Sequence, residues 1–322
     1  MAYVGRFAPT PSGPLHLGSL CTALASYLDA RHHRGQWLVR IEDVDQPRCV
    51  KQADTLILRT LERFGLYWDA QPQYQSQQTA LYTAILDQLA QQASHRHGGP
   101  LFACNCTRQQ LSTRPSKANR AYPGYCSHRV IRSITASSQH RPPHYALRWQ
   151  LPNKPIGFND RRLGPQINYP AHDIGAPVLI RKDGLFAYHW AVVIDDWQQG
   201  ITDVVRGHDL LEQTSVHLCL QRALHAPTPR YTHLPIVLGA QGKKLSKSER
   251  AASLDSASPT PILLKLLIAL GQIDAADAVQ QWGASPDEII KYAIPRWSIG
   301  KILHHAHYRQ FRKSLPYPRN IC

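Results

Sequence analysis

The chain has 322 residues, 43% of them hydrophobic and 18% charged, enough for one large or two modest globular domains with a real core. Its formal net charge of +15 favours a polyanionic partner. No stretch approaches the roughly 20 apolar residues a membrane helix needs, and the first residues lack the basic head and apolar run of a secretory leader. Nucleic acid met in the cytoplasm is therefore the expected partner, and membrane function is excluded.

Tyr3 to Phe7 reads as a short buried strand. A turn rich in Pro, Ser and Gly follows to Pro14, then a helix from about Gly18 to Arg31 with Leu20, Ala23, Leu24, Tyr27 and Leu28 on one face. A helix start behind such a turn offers free backbone N–H groups and the positive end of a dipole, which suits phosphate. Gly13 and Gly18 would let a ligand approach the backbone, and His16 could donate to a phosphate oxygen as it gains charge. Gln36 to Ile41 predicts a second strand, with helices near Ala53–Phe64 and Ala80–Gln91. Strand and helix alternate, as in a parallel α/β sheet. Arg40, Asp43 and Asp45 are expected to form an internal salt-bridge cluster. Residues 1–93 would be the first half of this α/β domain.

Residues 94–175 differ, being rich in Pro and Ser, and read as an insertion. Cys104, Cys106 and Cys126 lie close together there, whereas seven cysteines in all make a poor disulfide framework. Structural zinc takes four tetrahedral ligands; the fourth is open between Tyr122 and His128. Cys21, Cys49 and Cys219 fit packing roles. From 176 to 252 the α/β pattern resumes, with a strand at Val178–Arg181, an apolar stretch at Ala187–Trp197, a strand at Ile201–Arg206, a helix over Asp209–Leu224 and a short strand at Pro235–Leu238. The loop Gly242–Ser248, with three lysines, suits a mobile triphosphate clamp, because Lys is a compact point charge. Residues 253–322 predict a few helices and a basic tail. No acidic residue follows Ile289, while Lys291, Arg296, Lys301, Arg309, Arg312, Lys313 and Arg319 could grip RNA phosphates.

Together, His16-Leu17-Gly18-Ser19 and Lys244-Leu245-Ser246-Lys247-Ser248 resemble the two signatures of class I aminoacyl-tRNA synthetases, with Ser19 replacing a second histidine. Arg6–Gly13, Arg40–Asp45, Tyr188, Val193–Asp196 and Thr202–Gly207 resemble the glutamyl/glutaminyl branch, over about residues 3 to 250. The resemblance implies an α/β fold: a Rossmann-like parallel sheet with a zinc-containing insertion and a short helical C-terminal region. It implies catalytic roles for His16 and Lys247, and ATP binding, with Mg²⁺, by His16, Gly18, Ser19, Lys244 and Lys247.

For glutamate it implies Arg6, Ala8, Thr10, Glu42, Tyr188 and Arg206. The chemistry agrees, since a guanidinium can grip a carboxylate with paired hydrogen bonds and Glu42 could take the α-ammonium. Val192 departs from an Asn associated with the full-length glutamyl enzymes. The implied zinc ligands are Cys104, Cys106, Tyr122 and Cys126. The short C-terminal region resembles the glutamyl-Q tRNA(Asp) synthetase family. That implies a monomer that activates L-glutamate without tRNA and transfers it to queuosine in tRNA(Asp). The rivals are a compact glutamyl-tRNA synthetase charging a 3′ end, a small-molecule adenylyltransferase and a catalytically inactive RNA-binding relative.

Overall fold

The computed structural model describes residues 2–91, 99–112, 122–132, 134, 144–237, 254, 257–302 and 307–308. In chain order the elements are β1 (Val4–Phe7), α1 (Leu17–His32), β2 (Gln36–Ile41), α2 (Ala53–Arg63), β3 (Gln73–Tyr74), α3 (Thr79–Gln91), β4 (Leu101–Cys104) and α4 (Arg108–Ser112). Next come β5 (Ala146–Trp149), β6 (Ile156–Asp160), β7 (Gly164–Asn168), α5 (Pro170–Asp173), β8 (Val178–Ile180), α6 (Tyr188–Gln198), β9 (Asp203–Gly207), α7 (Thr214–Ala223) and β10 (Arg230–Leu234). The chain continues through β11 (Ile236–Val237), α8 (Pro259–Ala269), α9 (Ala275–Gln280), α10 (Pro286–Ala293) and β12 (His307–Tyr308).

The main sheet runs β3-β2-β1-β9-β10-β6-β7, parallel throughout except for the β6–β7 hairpin. A three-stranded sheet, β4-β5-β8, is antiparallel. The first strand lies third of the seven, with β2 and β3 from the early chain on one side and strands from residue 156 onward on the other. A parallel α/β sheet opens a crevice at the carboxyl ends of its strands where the winding direction reverses, here between β1 and β9. Apolar layers cover both faces. One joins α1 and α2 to α8 and α10 through Leu24, Leu28, Leu61, Leu267 and Ile289; the other is built around Leu86, Trp149, Trp190 and Leu220. Among the described residues no helix is long and apolar enough to cross a membrane.

Several elements differ from the sequence expectation. The β6–β7 hairpin, expected inside the insertion, forms the edge of the main sheet. Asp160 fastens it there, since its carboxylate accepts from the backbone N–H groups of Arg162, Leu163 and His233. Strand β8, expected to resume the main sheet, instead pairs with β5. Helix α7 starts at Thr214 rather than Asp209, after one 3-10 turn at His208–Leu210.

The expected C-terminal tail is, as far as Ile302, part of the body. Leu263, Leu266, Ile290 and Trp297 are buried, and the Trp297 indole N–H donates to Asp29 of α1 at 2.9 Å. Side-chain capping boxes, Asp274 with Asp277 and Ser285 with Glu288, start α9 and α10. Lys291, Arg296 and Lys301 remain exposed, whereas Arg309, Arg312, Lys313 and Arg319 lie outside the described residues.

Candidate active site

A cavity of about 670 Å³ opens at the carboxyl ends of β1, β9 and β10. Arg6, Ala8, Thr10, His16, Gly18, Ser19, Glu42, Tyr188 and Arg206 all line it. Nine of the residues nominated from sequence thus share one wall, although they span 200 positions of chain. Lys244 and Lys247 lie outside the described residues.

At one end is the N-terminus of α1. Gly13 adopts φ +131°, a backbone state that side chains other than glycine rarely tolerate, and so turns the chain back toward the helix. His16 is the N-cap: its Nδ1 accepts the Ser19 N–H at 3.2 Å, which assigns the proton of the neutral ring to Nε2, 3.0 Å from Ser19 Oγ. A Cβ on Gly18 would press the His16 ring at 3.2 Å, so the glycine leaves room for this fold-back. Ser19 therefore receives the proton of His16 and can direct its own hydroxyl outward. The first turn of α1 holds no acidic residue to repel an anion.

At the other end the lining is charged. Arg6 donates from Nε to Asp196 at 3.1 Å, and Asp196 also lies 2.8 Å from Arg40. Burial pushes the Asp196 carboxyl up, but Arg6 and Arg40 more than offset this and hold it below its usual range. Arg40 is fully buried and balanced by Asp196, Asp195 and Glu42. Glu42 is 8% exposed, and burial raises its carboxyl to about 7 despite the pull of Arg40 and Arg6. Burial also raises the Tyr188 phenol, against the pull of Arg206, so its hydroxyl stays a donor. Arg206 is held by His217, His233, Thr214 and the Leu210 carbonyl. Among the described residues it has no carboxylate partner.

The expected Arg40–Asp43–Asp45 cluster does not form. Arg40 faces α6, Asp43 accepts from Ser76 N–H and hydroxyl at 2.8 and 2.6 Å, and Asp45 pairs with Arg48 and Arg181. Beyond Ile41 the strand has ended, so these carboxylates leave the face Arg40 occupies. The paired grip expected of Arg206 is also reduced, because four of its five N–H bonds are already used. Sequence reasoning missed Asp196, His217 and His233 as supports. Two adjacent acids inside the apolar stretch Trp190–Trp197 were the available signal for the first. Val192 is buried and does not line the cavity.

In the insertion, the sulfurs of Cys104, Cys106 and Cys126 lie within 4.8 Å of one another, with 3.7 Å between Cys106 and Cys126. The Tyr122 hydroxyl is 3.3 Å from Cys104 Sγ and 3.9 Å from Cys106 Sγ. Tetrahedral zinc with Zn–S near 2.3 Å and Zn–O near 2.0 Å requires edges of about 3.5 to 3.8 Å, which the Cys106–Cys126 distance meets and the two Tyr122 distances bracket, so three thiols and a phenol are gathered at close to the spacing of a zinc site. Among the described residues no histidine joins the cluster, and His128 is exposed. Burial pushes the Cys126 thiol up, yet hydrogen bonds from the Asn105 backbone, Tyr122 and the other two cysteines bring it down to about 7, toward the thiolate a metal needs. Cys21 and Cys219 are buried and Cys49 is half-buried.

Comparison with known proteins places these features together. The family model described as tRNA synthetases class I (E and Q), catalytic domain, matches residues 3–259. A protein of Pseudomonas putida F1 named glutamyl-Q tRNA(Asp) synthetase is 42% identical over 296 residues, covering 92% of this chain and 91% of its own. One of the same name from Cupriavidus metallidurans is 44% identical over 288 residues, covering 88% and 89%. Among solved structures, a glutamate tRNA ligase from Elizabethkingia meningosepticum, in complex with its amino acid, superposes with TM-score 0.74 at 25% identity. That match covers 96% of this chain and 67% of the ligase. Mycobacterium tuberculosis methionyl-tRNA synthetase shares the fold alone, at TM-score 0.51 and 10% identity.

Proposed function

Because the chain belongs to the family of class I (E and Q) tRNA synthetase catalytic domains, we propose that it activates glutamate with ATP in the absence of tRNA and then transfers the glutamyl group to queuosine in tRNA(Asp). The observation that carries the activation step is the single cavity joining a helix N-terminus to Arg6, Glu42, Tyr188 and Arg206. The acceptor rests on the name shared by relatives that match over nearly their whole length.

In this reading the substrate lies across the carboxyl ends of β1 and β9. Glu42 takes the α-ammonium, while Arg206, with Tyr188 beside it, takes the side-chain carboxylate. Arg6 keeps its two terminal nitrogens for the substrate, since only Nε is held by Asp196. The α-carboxylate then attacks the α-phosphorus of ATP, and pyrophosphate leaves. No protein nucleophile is required; positioning and charge stabilisation do the work. The α1 N-terminus, with His16 and Ser19, would take the developing phosphate charge, and the roles of Lys244 and Lys247 rest on the sequence signature that they carry. Mg²⁺ would accompany ATP. Zinc, held by Cys104, Cys106, Cys126 and Tyr122, would crosslink the insertion. A cytoplasmic monomer belongs to the same reading.

The test uses labelled glutamate, ATP and tRNA(Asp) from cells able and unable to make queuosine. Glutamate is expected to attach only to the modified tRNA, and periodate oxidation of the queuosine diol should abolish attachment. Charging of unmodified tRNA(Glu) at its 3′ end at a comparable rate would instead make the chain a compact glutamyl-tRNA synthetase.

A further inference from the structure

We propose that His217 and His233 are positioning residues that fix Arg206 through neutral acceptors only, so that the guanidinium meets the substrate carboxylate with its charge uncancelled. This deepens the reading above and rests on it.

The geometry is a relay of hydrogen bonds behind the pocket wall. Arg206 Nε donates to His233 Nε2 at 3.0 Å, and one terminal nitrogen donates to His217 Nδ1 at 3.1 Å. The other donates to Thr214 Oγ1 at 2.8 Å and to the Leu210 carbonyl at 3.3 Å. A histidine nitrogen that accepts must be bare, so the ring proton sits on the opposite nitrogen. For His233 that proton is on Nδ1, which donates to Asp160 Oδ2 at 2.7 Å. For His217 it is on Nε2, which donates to His189 Nδ1 at 3.1 Å. Each tautomer is thus set by a group farther from the substrate.

Both rings are essentially sealed from solvent, at 1% and 0% exposure. Burial and the nearby Arg206 charge hold His217 well below its ordinary value. Burial likewise lowers His233, with Asp160 pulling it back, to about 4. Neutral rings are therefore the resident state. The contrast with Arg6 is sharp, because Arg6 is fixed by the Asp196 carboxylate, which cancels its charge. A carboxylate at position 217 would orient Arg206 equally well but compete with the substrate for its charge. Only one N–H of Arg206 remains uncommitted, so charge rather than hydrogen-bond count must attract glutamate.

The experiment is glutamate-dependent ATP–pyrophosphate exchange by full-length His217→Asn, His217→Asp and His217→Leu. The Asn oxygen stands where Nδ1 stood, so H217N should stay within about threefold of the wild-type KM for glutamate. H217D should raise that KM by roughly 30-fold or more and shrink the preference for glutamate over glutamine, with KM for ATP changed less than about twofold. H217L, which offers no acceptor, should raise the glutamate KM about tenfold. Thermal melting checks folding; if H217D does not fold, the H217N and H217L pair decides. Equal behaviour of H217N and H217D, or of H217N and H217L, with an active wild type would overturn the positioning role and leave the function standing. A wild type without glutamate-dependent exchange would overturn both.

Discussion

Glu42 offers a quantitative test of the amino-acid pocket. Its carboxyl is buried and sits at about 7 rather than near 4.5. Only the ionised form can accept the α-ammonium of glutamate. At pH 6 about one tenth of the free protein is ionised there, and at pH 8 about nine tenths, so kcat/KM for glutamate should rise roughly tenfold between them. Glu42→Gln removes a charge-assisted hydrogen bond worth about 1.5–3 kcal/mol, which lowers kcat/KM at pH 8 by roughly 10- to 150-fold and flattens the acid limb. Stability should move the opposite way. An acid whose value rises on folding contributes stability that is present below about 4.5 and lost as pH rises through about 7. At pH 8 the ionised carboxylate then costs on the order of 3 kcal/mol, and E42Q should unfold at higher denaturant than wild type, with the gap closing near pH 4. The assays are pyrophosphate exchange at subsaturating glutamate and urea denaturation at both pH values. A flat wild-type profile from pH 6 to 8, with E42Q less stable than wild type at pH 8, would refute the reasoning.

Asp196→Asn should destabilise the fold by about 3–5 kcal/mol, because it strips the shared counter-charge from buried Arg6 and Arg40; urea unfolding measures it. Lys247→Ala should slow pyrophosphate exchange by about two orders of magnitude, the loss of ~3 kcal/mol of transition-state charge stabilisation, with secondary structure intact by circular dichroism. Protein purified without chelator should carry about one zinc per chain, and chelation should lower its melting temperature. Absence of zinc, with all three clustered thiols titrating freely in the native protein, would defeat that expectation.

The site was most legible where its residues are neighbours in sequence. Arg6, Ala8, Thr10, His16 and Ser19 occupy one strand, turn and helix start, so local pattern brought them together. What escaped was set by contacts between distant segments. Two of the three carboxylate partners of Arg40, Asp195 and Asp196, lie more than 150 positions away on α6, and nothing local to Asp43 or Asp45 excludes them as alternatives. The β6–β7 hairpin was absorbed into the insertion because its strands are short and flanked by Pro and Gly. The region from 257 to 302 read as the start of a basic tail because no acidic residue follows Glu288. Its leucines, Leu263, Leu264, Leu266 and Leu267, instead complete the layer over α1. His217 lies on an apolar helix face, where a lone histidine usually means packing; only the fold brings it against Arg206 and His189.

The charges in the pocket also account for glutamate over glutamine. Arg6 and Arg40 are matched first by Asp195 and Asp196, so that among the described residues Glu42 only shares Arg40, at 3.7 Å, and Arg206 has no carboxylate partner. An amino acid with an α-ammonium and a side-chain carboxylate supplies a counter-charge to each. Glutamine satisfies Glu42 but presents a neutral amide to Arg206. A unit charge about 4 Å from a guanidinium at an effective dielectric near 20 is worth about 4 kcal/mol before desolvation, enough for a preference of roughly thirtyfold even if half is lost. Hydrogen bonding alone would discriminate less, because the one free N–H of Arg206 can point at an amide oxygen as readily as at a carboxylate oxygen. Preference for glutamate should therefore weaken with any substitution that brings a carboxylate onto Arg206, and survive those that exchange one neutral acceptor for another.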